Sequence, residues 1–116
     1  MNPEVAVRLV GDAAIVDMKG RFILGEGCNL LRDTVKGLLE SGRRNILLNL
    51  QGVTYIDSSG LGEMAGCYVT VSRLGGQLKI LSAQGKVNDM LRVTRLFSVF
   101  VTFSDEAEAI RSFQPL

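Results

Sequence analysis

The residues of this 116-residue chain best suited to chemistry lie together, in Asp57-Ser58-Ser59-Gly60-Leu61-Gly62, between an apolar run that ends at Leu50 and the start of a helical pattern. A serine there could act as a nucleophile or as the acceptor of a phosphoryl group. The nucleophile reading lacks its parts. Asp57-Ser58-Ser59-Gly60 is not a G-x-S-x-G elbow, and the chain contains no histidine to act as base. A Ser-His-Asp or Cys-His group cannot be assembled within it. The two cysteines, Cys28 and Cys67, form no CxxC pair, so a typical zinc site is excluded and both read as reduced, small hydrophobes. No catalytic residue, metal ligand or cofactor is expected. The plain structural reading of the segment is a capped helix start, because Asp57, Ser58 and Ser59 are all good capping residues.

A second motif overlaps the first. Gly60-Leu61-Gly62-Glu63-Met64-Ala65 satisfies the loose G-x-G-x-x-A dinucleotide fingerprint. The carboxylate such a site needs about 20 residues on is missing, since Ser82-Ala83-Gln84 stands there. Asp57 would also set a negative group beside a pyrophosphate. The glycines have two other uses: Gly60, Gly62 and Gly66 would leave side-chain-free ground for a partner's backbone, or would serve close packing inside the domain.

The elements that must position this segment are legible as alternating strands and helices. Val5–Val10 and Ala13–Met18 are β-prone runs around the two-residue turn Gly11-Asp12, which predicts an N-terminal hairpin. After the loop Gly25-Glu26-Gly27, the spacing of Leu31, Val35 and Leu38, widened by Leu30 and Leu39, predicts an amphipathic helix ending at Ser41-Gly42. Ile46–Leu50 is almost continuously apolar, as expected of a central strand covered on both faces. A second helix runs from about Ser59 to Leu74, with Leu61, Met64, Ala65, Tyr68 and Ser72 on one face and Gly62, Glu63, Gly66, Thr70 and Arg73 on the other. It stops at Gly75-Gly76. A strand over Gln77–Leu81, a helix over Val87–Arg95, a strand over Val99–Phe103 and a last helix over Ser104–Phe113, capped by Ser104, complete the reading. The fold class is α/β: one domain over residues 1–116, with a mixed sheet of about four to five strands flanked by about four helices.

Composition narrows the partners. With 47% hydrophobic and 22% charged residues, the chain can bury one core. A net charge of +1, two tyrosines and no tryptophan offer neither a basic face nor stacking platforms, so no direct nucleic-acid partner is expected. Neither a membrane-spanning run nor a secretion signal is present in the sequence, which implies a cytoplasmic protein without membrane insertion. A mean hydropathy of +0.23 would permit a homodimer through an exposed sheet edge.

Asp57-Ser58-Ser59-Gly60-Leu61-Gly62 after a buried strand resembles the segment of the STAS family, whose bacterial anti-sigma factor antagonists carry Asp-Ser-(Ser/Thr)-Gly-Leu-Gly there. The resemblance extends over the hairpin, the strand 45–50, the Gly-Gly before Leu78–Leu81, and the tail through Leu96-Phe97-Ser98-Val99-Phe100 to Ile110. It implies that Ser58 accepts a phosphoryl group from an anti-sigma factor that is itself a serine kinase, and that a serine phosphatase removes it. The unphosphorylated form would bind the anti-sigma factor and free a sigma factor, with Asp57, Ser58, Ser59, Gly60, Gly62, Glu63 and Gly66 at the contact. The same family includes members that keep the fold without the switch, such as an accessory subunit of a lipid-transport ABC complex or a part of a stress-sensing assembly. At Gly20–Gly27 the chain departs from the Gly-x-Leu/Ile-Asp pattern of many relatives, because Leu24 is followed by glycine. That departure bears on the shape of the surface beside the loop.

Overall fold

The computed structural model describes residues 2–113; Met1 and residues 114–116, the ends of the expected 1–116 domain, lie outside the described residues. Five strands form one mixed sheet in the order β1-β2-β3-β4-β5: β1 (Glu4–Val10), β2 (Ala13–Phe22), β3 (Asn45–Ile56), β4 (Gln77–Leu81) and β5 (Thr102–Phe103). β1 and β2 are antiparallel, and the remaining pairs are parallel. Gly11 takes a positive φ of 58° in the two-residue turn of the hairpin, as the sequence predicts. The helices are α1 (Glu26–Glu40), α2 (Ser58–Arg73), α3 (Gly85–Val93) and α4 (Glu106–Arg111), with a 3₁₀ turn at Leu96–Ser98. This is the expected α/β fold.

The sheet is covered unequally. On one face the larger core joins Val16, Met18, Ile46, Leu48 and Leu50 of the sheet to Leu31 and Val35 of α1, Met64 and Val71 of α2, and Leu91 of α3. On the other, Ala13, Ile15, Leu47 and Leu81 pack under Ala109 of α4 and Phe113. β3 lies at the centre, and Ile46, Leu47 and Leu48 are fully buried, which explains the unbroken apolar run. Among the described residues, no helix is long and apolar enough to cross a membrane.

Several boundaries move from the sequence reading. β3 continues through Gln51–Tyr55 because its register against β2 shifts twice, between Asp17 and Lys19 and between Gly20 and Arg21. Each shift inserts a residue, so the core-facing positions become Leu50, Val53 and Ile56 and the two-residue alternation disappears. α1 begins at Glu26, so two residues of the expected loop are helical, and α3 begins at Gly85 and ends before the left-handed Arg95. The last strand shrinks to Thr102–Phe103, with Leu96–Ser98 as a 3₁₀ turn before it. The cap of α4 is Asp105, whose carboxylate accepts from the Glu108 amide at 2.9 Å, and Ser104 lies outside the helix.

Candidate functional site

Strand β3 delivers Ile56 into the core, and the chain then turns at Asp57 in extended conformation (φ −102°, ψ −177°) to begin α2. Asp57 caps the helix: its Oδ1 accepts from the Gly60 amide at 2.8 Å. Its Oδ2 accepts from the Leu24 amide at 3.1 Å, 33 residues earlier in the chain. One carboxylate therefore joins the helix start to the loop between β2 and α1. That loop holds the departure Leu24-Gly25, and Gly25 has φ 100°, a conformation that favours glycine over any side chain. Leu24 itself is 76% exposed.

Ser58, expected just before the helix, is its first residue, and it is exposed; Ser59 is half-buried. Gly60 is buried, and a Cβ built on it would run into the backbone carbonyl of Phe22 and lie 2.6 Å from the Ile56 side chain. Its bareness lets α2 close on β2. Gly60, the first glycine of the dinucleotide fingerprint, packs against Phe22 and its amide donates to Asp57. Gly62 and Gly66 are exposed; a Cβ on Gly62 would meet nothing and one on Gly66 would meet only Glu63 Oε2 at 4.0 Å, so packing requires neither glycine.

Glu63 is committed within the chain. Its Oε1 accepts from Nη2 of Arg32 on α1 at 2.6 Å and from Nε at 3.0 Å, and its side chain is only 14% exposed. Below this ion pair a groove of about 420 Å³ runs between the two helices, lined by Val35, Lys36, Gly66, Cys67 and Thr70 among others. Cys67 forms part of the buried face of α2, together with Val71. Burial pushes the Cys67 thiol up to about 12, helped by the nearby Glu63 carboxylate, and burial raises Cys28 as well. Both thiols are held protonated and unreactive.

Sequence reasoning thus places Asp57, Ser58 and Ser59 at one helix start and strings Gly62 and Gly66 along the exposed side of that helix. It misses Leu24 and Arg32, which are tied to site residues over 33 and 31 positions of sequence. For Leu24 a signal existed in the departure at the loop; for Arg32 there was none.

The sequence profile of the STAS domain matches residues 4–109. The chain belongs to the STAS domain family. Among curated STAS relatives, the anti-sigma F factor antagonist of Paenibacillus polymyxa is 27% identical over 70 residues, and the matched stretch covers 60% of this chain and 60% of that protein's length. Among solved structures, a Thermotoga maritima protein assigned as an anti-sigma factor antagonist superposes with a TM-score of 0.88 at 25% identity, over 96% of this chain and 95% of the other. The Bacillus cell fate determinant SpoIIAA in its phosphorylated form gives a TM-score of 0.74 at 17% identity, over 96% and 100% of the two chains, a likeness of fold.

Proposed function

We propose that this STAS protein is an anti-sigma factor antagonist, cytoplasmic and acting as the substrate of a kinase. Unphosphorylated, it binds an anti-sigma factor that is a serine kinase and so frees a sigma factor. Transfer of the γ-phosphoryl group of ATP to Ser58 Oγ releases it, and a serine phosphatase restores it. The observation that carries the reading is an exposed serine at the first position of α2, behind a cap whose two carboxylate oxygens are already engaged by backbone amides.

That arrangement suits a switch. Phosphoserine adds about −1.5 to −2 charge near pH 7, and at a helix start the dipole favours it. The domain therefore has no reason to unfold. In a complex that covers Ser58, burying such a charge without a matching cation costs on the order of 3–5 kcal/mol. At about 1.4 kcal/mol per tenfold, this is roughly a hundred- to several-thousand-fold loss of affinity. Asp57 acts by holding the loop and the helix start in place, while Ser59, Gly62 and Gly66 form the contact surface with Ser58. Gly60 and Glu63 support that surface from within.

The test is incubation of the chain with the anti-sigma kinase of the same organism and ATP, followed by intact-mass analysis and peptide mapping, beside Ser58→Ala and Ser59→Ala variants. One phosphoryl group on Ser58, absent in Ser58→Ala and accompanied by loss of kinase binding, is the expected outcome. A chain that stays unmodified while a known antagonist is phosphorylated would turn the reading to a non-switching STAS subunit of a lipid-transport ABC complex or a stress-sensing assembly.

A further inference from the structure

The two edges of the sheet are built differently. β5 is two residues long and offers little to pair with, whereas β1 is seven residues long with no neighbour beyond it among the described residues. Edge strands are commonly guarded by proline, by a bulge, by lysine or by unpaired charge. β1 contains no proline or lysine within Glu4–Val10, and its register against β2 is unbroken. Its one cation, Arg8, is already neutralised: it donates to Asp17 Oδ2 at 2.6 Å and to Glu106 Oε1 at 2.6 Å. Val7 and Leu9 are 43% and 55% exposed.

The register fixes which backbone groups point outward. Val10 and Ala13 close a two-residue turn, so they form a hydrogen-bonded pair. Alternation from that pair aims the N–H and C=O of Arg8, Ala6 and Glu4 at β2, and those of Leu9, Val7 and Val5 away from the sheet.

We infer that β1 is a self-pairing edge, through which two copies join antiparallel about a twofold axis at Val7 into one continuous ten-stranded sheet. In this register Val7 faces Val7 of the second copy, and Val5 faces its Leu9. Every outward residue meets an outward residue, giving about six backbone hydrogen bonds, two per pair. The side chains of these pairs lie on the α1 face, where Val5 already packs on the larger core, and they merge into one apolar stripe. On the opposite face Arg8 stands across from Ala6, with Glu4 and Arg8 of the second copy on its two diagonals. No like charges are directly opposed. The axis reverses the strands, so the Ser58 ends of the two copies point in opposite directions and each remains open to a partner.

The test needs no kinase, so its result is separate from the phosphorylation reading. Sedimentation velocity of the full chain from about 10 μM to about 1 mM is expected to give a reversible dimer, and Val7→Lys, which places two like charges at the axis, to raise the dissociation constant about 100-fold or more. In amide exchange followed by NMR, Val5, Val7 and Leu9 are expected to gain protection together as concentration rises. A wild-type chain that is monomeric at about 1 mM, or a dimer in which these three amides exchange as fast as in dilute solution, would overturn the inference. So would a folded Val7→Lys variant that associates like wild type; if that variant does not fold, the exchange result on the wild type decides.

Discussion

Two helices of this molecule start on an aspartate, and they start differently. Asp57 and Asp105 each accept from the amide three residues on, at 2.8 Å and 2.9 Å. At α4 the first turn already carries Glu106 and Glu108, and Arg8 neutralises Glu106 from across the sheet. The charge that a helix start favours is thus supplied and balanced within the chain. At α2 the first turn carries no acid; two serines and a glycine follow the cap, and the second carboxylate oxygen of Asp57 is spent on the Leu24 amide. The local cap is the same device in both places, and what distinguishes the candidate switch is a first turn left without charge and held in shape by a distant loop.

Substitutions can break that comparison at graded cost. The largest effect is expected from Gly60→Ala, which drives a methyl group into the Phe22 carbonyl. It should lower stability by on the order of 3 kcal/mol in urea unfolding; Gly62→Ala, in open space, should be neutral or slightly stabilising. Next, Asp57→Ala should cost about 1–2 kcal/mol and speed amide exchange at Leu24, whereas Asp105→Ala should cost about 1 kcal/mol or less and leave Leu24 unchanged. Equal exchange at Leu24 in the two variants would remove the asymmetry. Smaller still, Ser58→Asp should raise the thermal midpoint of the free protein by the equivalent of about 0.5 kcal/mol, while Ala107→Asp, added to an acidic first turn, should not.

The smallest effect is the pH response of the Arg8 network. Hydrogen bonding from Arg8 holds the Asp17 carboxyl below its ordinary value, so its contribution to stability is complete above about pH 4 and is lost as pH falls through the lower folded value. Asp17→Asn should flatten the acid limb of the stability profile by less than about 1 kcal/mol, because the pair is partly exposed. An unchanged acid limb would show that the Arg8–Asp17 pair adds nothing to stability.

Much of this architecture is legible in the sequence, for identifiable reasons. The hairpin around Gly11-Asp12, the run Ile46–Leu50 and the helix stop at Gly75 are local signals, and each element stands where local chemistry puts it. The helix start at Asp57-Ser58 is legible for the same reason. The continuation of β3 to Ile56 is not, because two register shifts against β2 replace a spacing of two by one of three. The buried face of α2 is only partly legible: Cys67 and Val71 are buried and Ser72 is exposed, in a helix with small or apolar residues on every side. Gly60 and Gly66 look alike in sequence, and only the approach of the Phe22 carbonyl separates the glycine that packing demands from the one it does not. The Arg32–Glu63 and Asp57–Leu24 contacts join segments about 30 residues apart, beyond any local pattern.

The bond from the Leu24 amide to Asp57 also makes Leu24 a built-in reporter. Its proton lies on a different segment from the serines, yet its position depends on the carboxylate next to Ser58. A change of charge or of partner at Ser58 that moves Asp57 will register in the Leu24 resonance, on a loop that carries no hydroxyl of its own between Ile23 and Gly27. The state of the proposed switch can therefore be read from outside the serine segment, in the intact protein and without a label attached to the site.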